Sequence, residues 1–310
     1  MQDIRSILVG LELDADGAAI SPGSRKAAEQ ALAVAAAGGA RVTFLHSVHA
    51  PAYFDAQGRE MPVTAERPGD EALAALERCA DEARAAGVDA ALALTSARPW
   101  LEATRRASAG EADLVVFGKR NELDTDGRKL GSVAVKLVRS CPEPVWLVRP
   151  EHDLVHRLIL AASDLGAVAD RACRYGCWLA RGRECELHVV HAWQTPHELV
   201  ERRESLGEQA YAARQDELRA RAGEHIEEST RGACDQDQKI EIHFGRGDPA
   251  SVIREAVAHL DPDLLIMGAI SRPDPHGALI GSTMERLLDR VDCSILALKP
   301  EGFVSPVREG

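Results

Sequence analysis

The strongest constraint on this chain is a repeat. Gly118, Gly131, Ser132 and Pro150 recur as Gly268, Gly281, Ser282 and Pro300, each 150 positions on, and Pro99 and Asp113 recur likewise as Pro249 and Asp263. Further upstream, Leu45-His46-Ser47-Val48-His49-Ala50 resembles Leu187-His188-Val189-Val190-His191-Ala192. A period this long is that of a whole domain, not of a solenoid unit, so the chain is expected to fold as one domain built twice. At 310 residues it has room for two domains, each with its own hydrophobic core. The expected division is 1–150 and 151–300, with 301–310 as a tail and Glu151-His152-Asp153 as linker.

Within each half, strand and helix patterns alternate. Ser6 to Leu13 is an apolar run, and Ser21-Pro22 supplies a helix cap and a first-turn proline. An alanine-rich helix over 24–37, with Leu32 and Val34 on its apolar side, stops at Gly38-Gly39 before the strand Arg41 to Val48. A polar connection over 50–69 leads to a helix near 70–86, a strand over 89–94 and a helix from Pro99. Asp113 to Gly118 reads as a parallel strand covered on both faces. A helix from Gly131 and a strand over 144–148 complete the half. The second half repeats the order: strands over 157–163, 184–192, 239–244, 263–268 and 293–298, with helices over 167–180 and 207–230, from Pro249 and from Gly281. This alternation predicts an α/β fold, two tandem flavodoxin-like or Rossmann-like domains, each with a five-stranded parallel sheet flanked by helices.

Charge and composition exclude several classes. The net charge of −12, from 49 acidic and 37 basic residues, repels nucleic acid and anionic membranes, so neither is expected as a partner. The small apolar stretch Ala31 to Ala40 is about half the ~20 residues that span a bilayer, and the start resembles no secretory signal, so a cytoplasmic location is expected. Seven cysteines, Cys79, Cys141, Cys173, Cys177, Cys185, Cys234 and Cys293, lack CxxC spacing and read as thiols. Cys173 and Cys177 stand four apart on a helix face, a spacing open to a metal or redox pair; without a closing ligand pair nearby they read as small buried residues.

In open parallel sheets, ligands bind beyond the carboxyl ends of the strands where strand order reverses. Gly268 falls at such an end, where a missing side chain admits a ligand to the backbone. Gly281-Ser282-Thr283 begins the following helix, and a helix N-terminus with hydroxyls is a natural phosphate seat. The P-loop spacing is absent. Met267-Gly268-Ala269-Ile270-Ser271, nine further residues and Gly281-Ser282-Thr283 resemble the Gly-x2-Gly-x9-Gly-Ser/Thr nucleotide motif of universal stress proteins. Gly247-Asp248-Pro249, Leu187-His188-Val189 and Cys141-Pro142-Glu143-Pro144-Val145 resemble further segments of that family. The two-domain layout, Cys141 to Val148 with Trp146, and Leu298-Lys299-Pro300 before Ser305-Pro306-Val307 look most like its tandem E-type members.

This resemblance implies adenosine-nucleotide binding, with ATP and Mg2+ as the expected cofactors. Adenine would lie against Val189 and Met267, and the phosphates between Gly268, Ser271 and Gly281-Ser282-Thr283. The family's first-strand aspartate falls on Ser163, with Asp164 one residue later, and Ser271 replaces the second motif glycine. In the first half Glu12 takes the aspartate position, Asn121 the second glycine and Ser47 the adenine-contact valine. Gly118, Gly131 and Ser132 remain there. Glu122, Asp124 and Asp126 would repel phosphate, offset by Lys119, Arg120, Arg128 and Lys129, so the first domain is expected to be the weaker nucleotide site.

His46 and His49, like His188 and His191, are three apart on a strand and point to opposite faces, so neither pair chelates a metal and all four read as structural. His276 reads as a solvated loop residue. No nucleophile, base and orienter stand together, so no catalytic residue is assigned and any ATP hydrolysis would be slow. The leading reading is a regulatory nucleotide-binding stress-response protein with unidentified protein partners. A nucleotide-free interaction scaffold, a carrier of a small-molecule or lipid-precursor ligand in the first domain, and a weak Mg2+-dependent ATPase stay open. The two domains are expected to pack as an intramolecular pseudo-dimer, and a further homodimer is left open.

Overall fold

The computed structural model describes residues 4–48, 53–54, 60–61, 68–119, 131–151, 156–182, 184–193, 207–235, 237–270 and 281–307. The chain divides into two compact units, built mainly on residues 1–154 and 155–302. Among the described residues, no helix is long and apolar enough to cross a membrane.

The first unit runs β1 (Ser6–Leu11), α1 (Pro22–Gly38), β2 (Arg41–Ser47), β3 (Tyr53–Phe54), β4 (Glu60–Met61), α2 (Asp70–Ala85), β5 (Ala90–Thr95), α3 (Pro99–Ser108), β6 (Leu114–Gly118), α4 (Ser132–Ser140) and β7 (Val145–Val148). Its main sheet has the order β5-β2-β1-β6-β7, with parallel pairing throughout. The sequence leaves 50–69 as a connection, but β3 and β4 form a short antiparallel pair within it. Two-residue strands carry no alternation that periodicity can detect.

The second unit runs β8 (Leu158–Ser163), α5 (Ala167–Ala180), β9 (Glu186–Trp193), α6 (Glu208–Thr230), β10 (Ile240–Arg246), α7 (Pro249–Leu260), β11 (Leu264–Gly268), α8 (Ser282–Leu288) and β12 (Ser294–Leu298). The order β10-β9-β8-β11-β12 is again all parallel. In each unit the order reverses between the first and fourth strands, the place where open parallel sheets form a crevice.

Local chemistry explains the helix starts. Ser21 caps α1 through its hydroxyl, which accepts the N–H of Ser24 at 3.3 Å, Pro22 opens the helix, and Gly39 ends it in the left-handed region at φ 69°. The buried stripe of α1 is made largely of Ala27, Ala28, Ala31 and Ala35 with Val34, while Leu32 sits at its half-buried margin. Such a thin face brings the helix close to the sheet. A Cβ on Gly118 would lie 2.5 Å from the backbone carbon of Gly23 in the first turn of α1.

The paired aspartates prove to be clasps. Asp113 Oδ2 accepts the amides of Arg5 and Ser6, both at 2.9 Å, and the Ser6 hydroxyl at 2.8 Å. Asp263 Oδ2 accepts the amides of Arg157 at 2.6 Å and Leu158 at 3.1 Å. Each carboxylate ties the entry of its unit's first strand to the start of the fourth. Burial would raise the Asp263 carboxyl, but the two amides and the Arg157 guanidinium outweigh it and hold the group below the usual carboxylate range.

One reading of the cysteines is corrected. Cys177 on α5 forms a disulfide with Cys234, just beyond α6, closing a sequence separation of 57 residues. Spacing alone could not show this, because α6 carries Cys234 back across the sheet to its partner. The other five cysteines are buried thiols. Cys173 packs with Ala161, Val189 and Ile226, and burial pushes its thiol up to about 11. Burial does the same to Cys79, also to about 11.

Candidate functional site

In the second unit β8 ends at Ser163, and the chain turns through Asp164-Leu165-Gly166 into α5. The Ser163 hydroxyl accepts the amide of Leu165 at 3.1 Å, and Asp164 Oδ1 accepts that of Gly166 at 3.0 Å. These bonds hold Leu165 in the left-handed region at φ 61°, a conformation that costs a non-glycine residue of order 1–3 kcal/mol and is kept where the surroundings impose it. Opposite, β11 ends at the buried Met267 and Gly268, and Gly281 caps α8.

Between them lies a cavity of about 410 Å³ whose lining includes Ser163, Asp164, Val190, Met267, Gly268 and Thr283. One flank is fastened by an ion pair. Asp248 caps α7, accepting the amide of Ser251 at 3.0 Å, and receives a hydrogen bond from Arg286 Nη1 on α8 at 2.7 Å. The Arg286 guanidinium, with the Ser251 hydroxyl and amide, lowers the Asp248 carboxyl to about 2. Pro249 and Thr283, which begin the same two helices, both line the cavity.

Of the sequence-derived site residues, the structure brings Ser163, Asp164, Met267, Gly268 and Thr283 to this cavity. Gly281 stands at its edge as the cap, but its N–H donates to Ala269 O at 2.8 Å, which leaves any phosphate to the next amides of the turn. Ser282 is exposed, and Thr283 is the hydroxyl that faces inward. Val189 does not reach the site: it is fully buried against Ala161, Cys173 and Ile226 on the other face of the sheet. Its neighbour Val190 lines the cavity, because successive strand residues alternate faces. Ser271 lies outside the described residues, as do Arg120, Asn121, Glu122, Asp124, Asp126, Arg128, Lys129, His49 and His276.

The strand registers also correct the alignment of the two halves. Leu11 pairs with His46, and Ser163 with His191. His46 Nδ1 meets Leu11 O at 2.9 Å, and His191 Nδ1 meets Ser163 O at 2.8 Å. His46 therefore matches His191, not His188, and the residue after the first strand is Glu12 in one half and Asp164 in the other. The carboxylate is retained in both. Identical Leu-His pairs set three residues out of register concealed this in the sequence.

The first unit has the corresponding cavity, about 260 Å³, with Glu12, Ser24, His46, Phe117, Gly131 and Ser132 among its lining. Gly118 lines it as well, but the Cβ position of that glycine is filled by the backbone of α1, so helix packing and not ligand approach excludes a side chain there. In the second unit a Cβ on Gly268 would meet Val168 Cγ1 at 3.2 Å, again on the helix side. The Ser47 hydroxyl donates to Ala97 O at 2.7 Å, and Phe117 occupies the place that Met267 takes in the second unit.

A family model, the Universal stress protein family, matches twice, over residues 5–149 and 156–299. Universal stress protein E of Salmonella typhi is 25% identical over 221 residues, 68% of either chain. Universal stress protein E of Escherichia coli K12 is 26% identical over 182 residues, 55% of either chain. A solved universal stress protein from Archaeoglobus fulgidus shares the fold with a TM-score of 0.65 at 19% identity, over 96% of this chain and 99% of that one. A functionally unknown protein from Pseudomonas aeruginosa does so with a TM-score of 0.69 at 23% identity, over 97% and 94%. The two family matches fall one on each of the two units that carry a switch-point cavity, and the chain belongs to the universal stress protein family as a tandem, E-type member.

Proposed function

We propose that, within this stress-response family, the chain is a cytoplasmic regulatory protein whose second domain binds an adenosine nucleotide, ATP with Mg2+. The observation that carries this reading is the cavity at the β8/β11 switch point, where a carboxylate, an apolar wall and the first turn of a helix converge. At about 410 Å³ it falls within the ~300–1,000 Å³ of small-molecule sites. Met267 and Val190 offer an apolar slot for the base, and Asp164 an acceptor for ribose hydroxyls. Thr283, Ser282 and the opening amides of α8 offer donors to phosphate. The motif residues Gly268 and Gly281 flank that path.

Regulation fits the residues better than turnover. Among the described residues, no nucleophile and base stand within hydrogen-bond reach in this cavity, and Asp248 and Arg286 are engaged with each other. Occupancy would join β8, β11, α7 and α8, and so bias the conformation available to a protein partner.

The test is calorimetric titration of nucleotide-stripped protein with ATP and Mg2+, beside Gly281→Asp. One site per chain, lost in the variant, is the expected result. No heat and no thermal shift at millimolar ATP would overturn the reading in favour of a scaffold or a carrier. Phosphate release abolished by the same variant would make the protein an ATPase.

A further inference from the structure

A second cluster lies away from this cavity, at the β9–β10 edge of the second unit. His188 pairs in register with Glu241, and alternate residues share a face. Glu186, His188 and Val190 on β9 therefore stand on the same side as Glu241 and His243 on β10. That side faces α7, since Val190 and His243 line a groove of about 560 Å³ together with Val252, Glu255 and His259.

Within the cluster the His188 side chain is only 8% exposed, and its Nδ1 lies 3.0 Å from His243 Nε2. Its Nε2 is 3.2 Å from Glu186 Oε2. Glu241 approaches both rings, Oε2 at 3.8 Å from His188 Nε2 and Oε1 at 3.9 Å from His243 Nε2. One ligand atom from each of His188, Glu241 and His243 falls within a span of 4.8 Å.

We propose that His188 Nδ1, His243 Nε2 and the Glu241 carboxylate form a binding site for a zinc-type divalent ion, with Glu186 as the residue that orients His188. Two imidazole nitrogens bound to one tetrahedral zinc stand about 3.3 Å apart, a few tenths of an ångström from the observed separation. Glu186 fixes the tautomer: an N–H on His188 Nε2 donates to the carboxylate and leaves the Nδ1 lone pair for the ion, the outer-shell arrangement of carboxylate–histidine–zinc sites. Without metal, His243 donates its Nε2 proton to that lone pair. With metal, the His243 proton moves to Nδ1, so both rings bind as neutral ligands. Burial, then the neighbouring His188, lowers the His243 pKa against the pull of Glu241, which favours that neutral form. Glu241 is 47% exposed, free to swing inward, and the fourth position opens to the groove. Nitrogen donors select zinc and its transition-metal neighbours over Mg2+ or Ca2+.

The test is calorimetric titration of metal-stripped, full-length protein with Zn2+, with and without about 10 mM Mg2+. One zinc per chain is expected, indifferent to Mg2+, weakened at least 100-fold in His243→Ala and roughly 10- to 100-fold in Glu241→Gln and Glu186→Gln. Co2+ in place of zinc should give the visible bands of four-coordinate cobalt in the wild type and lose them in His243→Ala. His188 is buried, so its removal endangers the fold; the exposed Glu241 and Glu186 carry the test even if a histidine variant misfolds. Absence of binding at 100 µM Zn2+, or binding unchanged in Glu241→Gln and His243→Ala, overturns the proposal. ATP titration of Glu241→Gln should be unaltered, which separates this site from the nucleotide reading.

Discussion

The two domains share one topology and one clasp, and differ where a ligand would sit. In the second, Met267 stands at the end of the fourth strand, and the cavity is about 410 Å³. In the first, the aromatic ring of Phe117 takes that place, and the space falls to about 260 Å³. The neighbouring helix starts diverge too. Asp248 caps α7 with its side chain and bonds Arg286, whereas Arg98 precedes α3 without a side-chain cap. Duplication preserves what the sheet needs, and the crevice, which the sheet does not need, is free to change.

The largest expected asymmetry lies in covalent bracing. Reducing the Cys177–Cys234 bond releases a closed span of 57 residues, for which chain entropy sets a contribution of about 4 kcal/mol. Denaturant unfolding of Cys234→Ser should show the second domain losing up to that amount while the first is unmoved. Equal loss in both domains, or none, would break the comparison.

Next comes the glycine pair at the fourth strands. Gly118→Ala drives a methyl into the backbone of α1, 2.5 Å from the Gly23 carbon, and should cost about 1–3 kcal/mol as overpacking. Gly268→Ala meets only a valine methyl at 3.2 Å and should cost less than about 1 kcal/mol. Urea melts of the two variants give the ranking, and a reversed order would show that the α1 approach is not the tighter one.

The clasps give a pH-dependent test of what the domains share. Because the Asp263 carboxyl is lowered on folding, its contribution is present above the unfolded value near 3.9 and is lost as pH falls through the folded value. Asp263→Asn should therefore lower Tm at pH 7, with the gap to wild type closing below about pH 4. A gap that stays constant down to about pH 2 would show that the carboxylate charge has no part in the clasp.

The smallest effect sharpens the contrast by partly removing it. Arg98→Asp should supply α3 with the kind of cap that Asp248 gives α7, raising the stability of the first domain by about 0.5–1 kcal/mol. Thermal unfolding reads this directly, and a lower Tm would mean that Arg98 makes a contact an acidic side chain cannot replace.

The fold was largely legible because its signals are local. Ser21-Pro22 and Asp248-Pro249 announce helices at their first residues, and Leu114 to Gly118 announces a strand buried on both faces. The repeat of Asp113 and Asp263 is visible in the sequence, but its meaning is not, since the amides that each carboxylate accepts lie more than a hundred residues away. Of the residues the sequence singled out, Ser163, Asp164, Met267, Gly268 and Thr283 line the cavity and Val189 does not. Val189 and Val190 are equivalent as apolar strand residues, and only sheet register shows which one faces the cavity.

By itself the sequence determined the duplication, the alternation of strands and helices and the position of each switch-point glycine, since all of these follow from periodicity and capping along the chain. The tertiary structure alone decided that His46 matches His191, that Cys177 meets Cys234, and that His188 stands beside His243 and Glu241. Those outcomes depend on strand register and on how far α6 carries the chain, and a contact between distant segments leaves no pattern in the local spacing of residues.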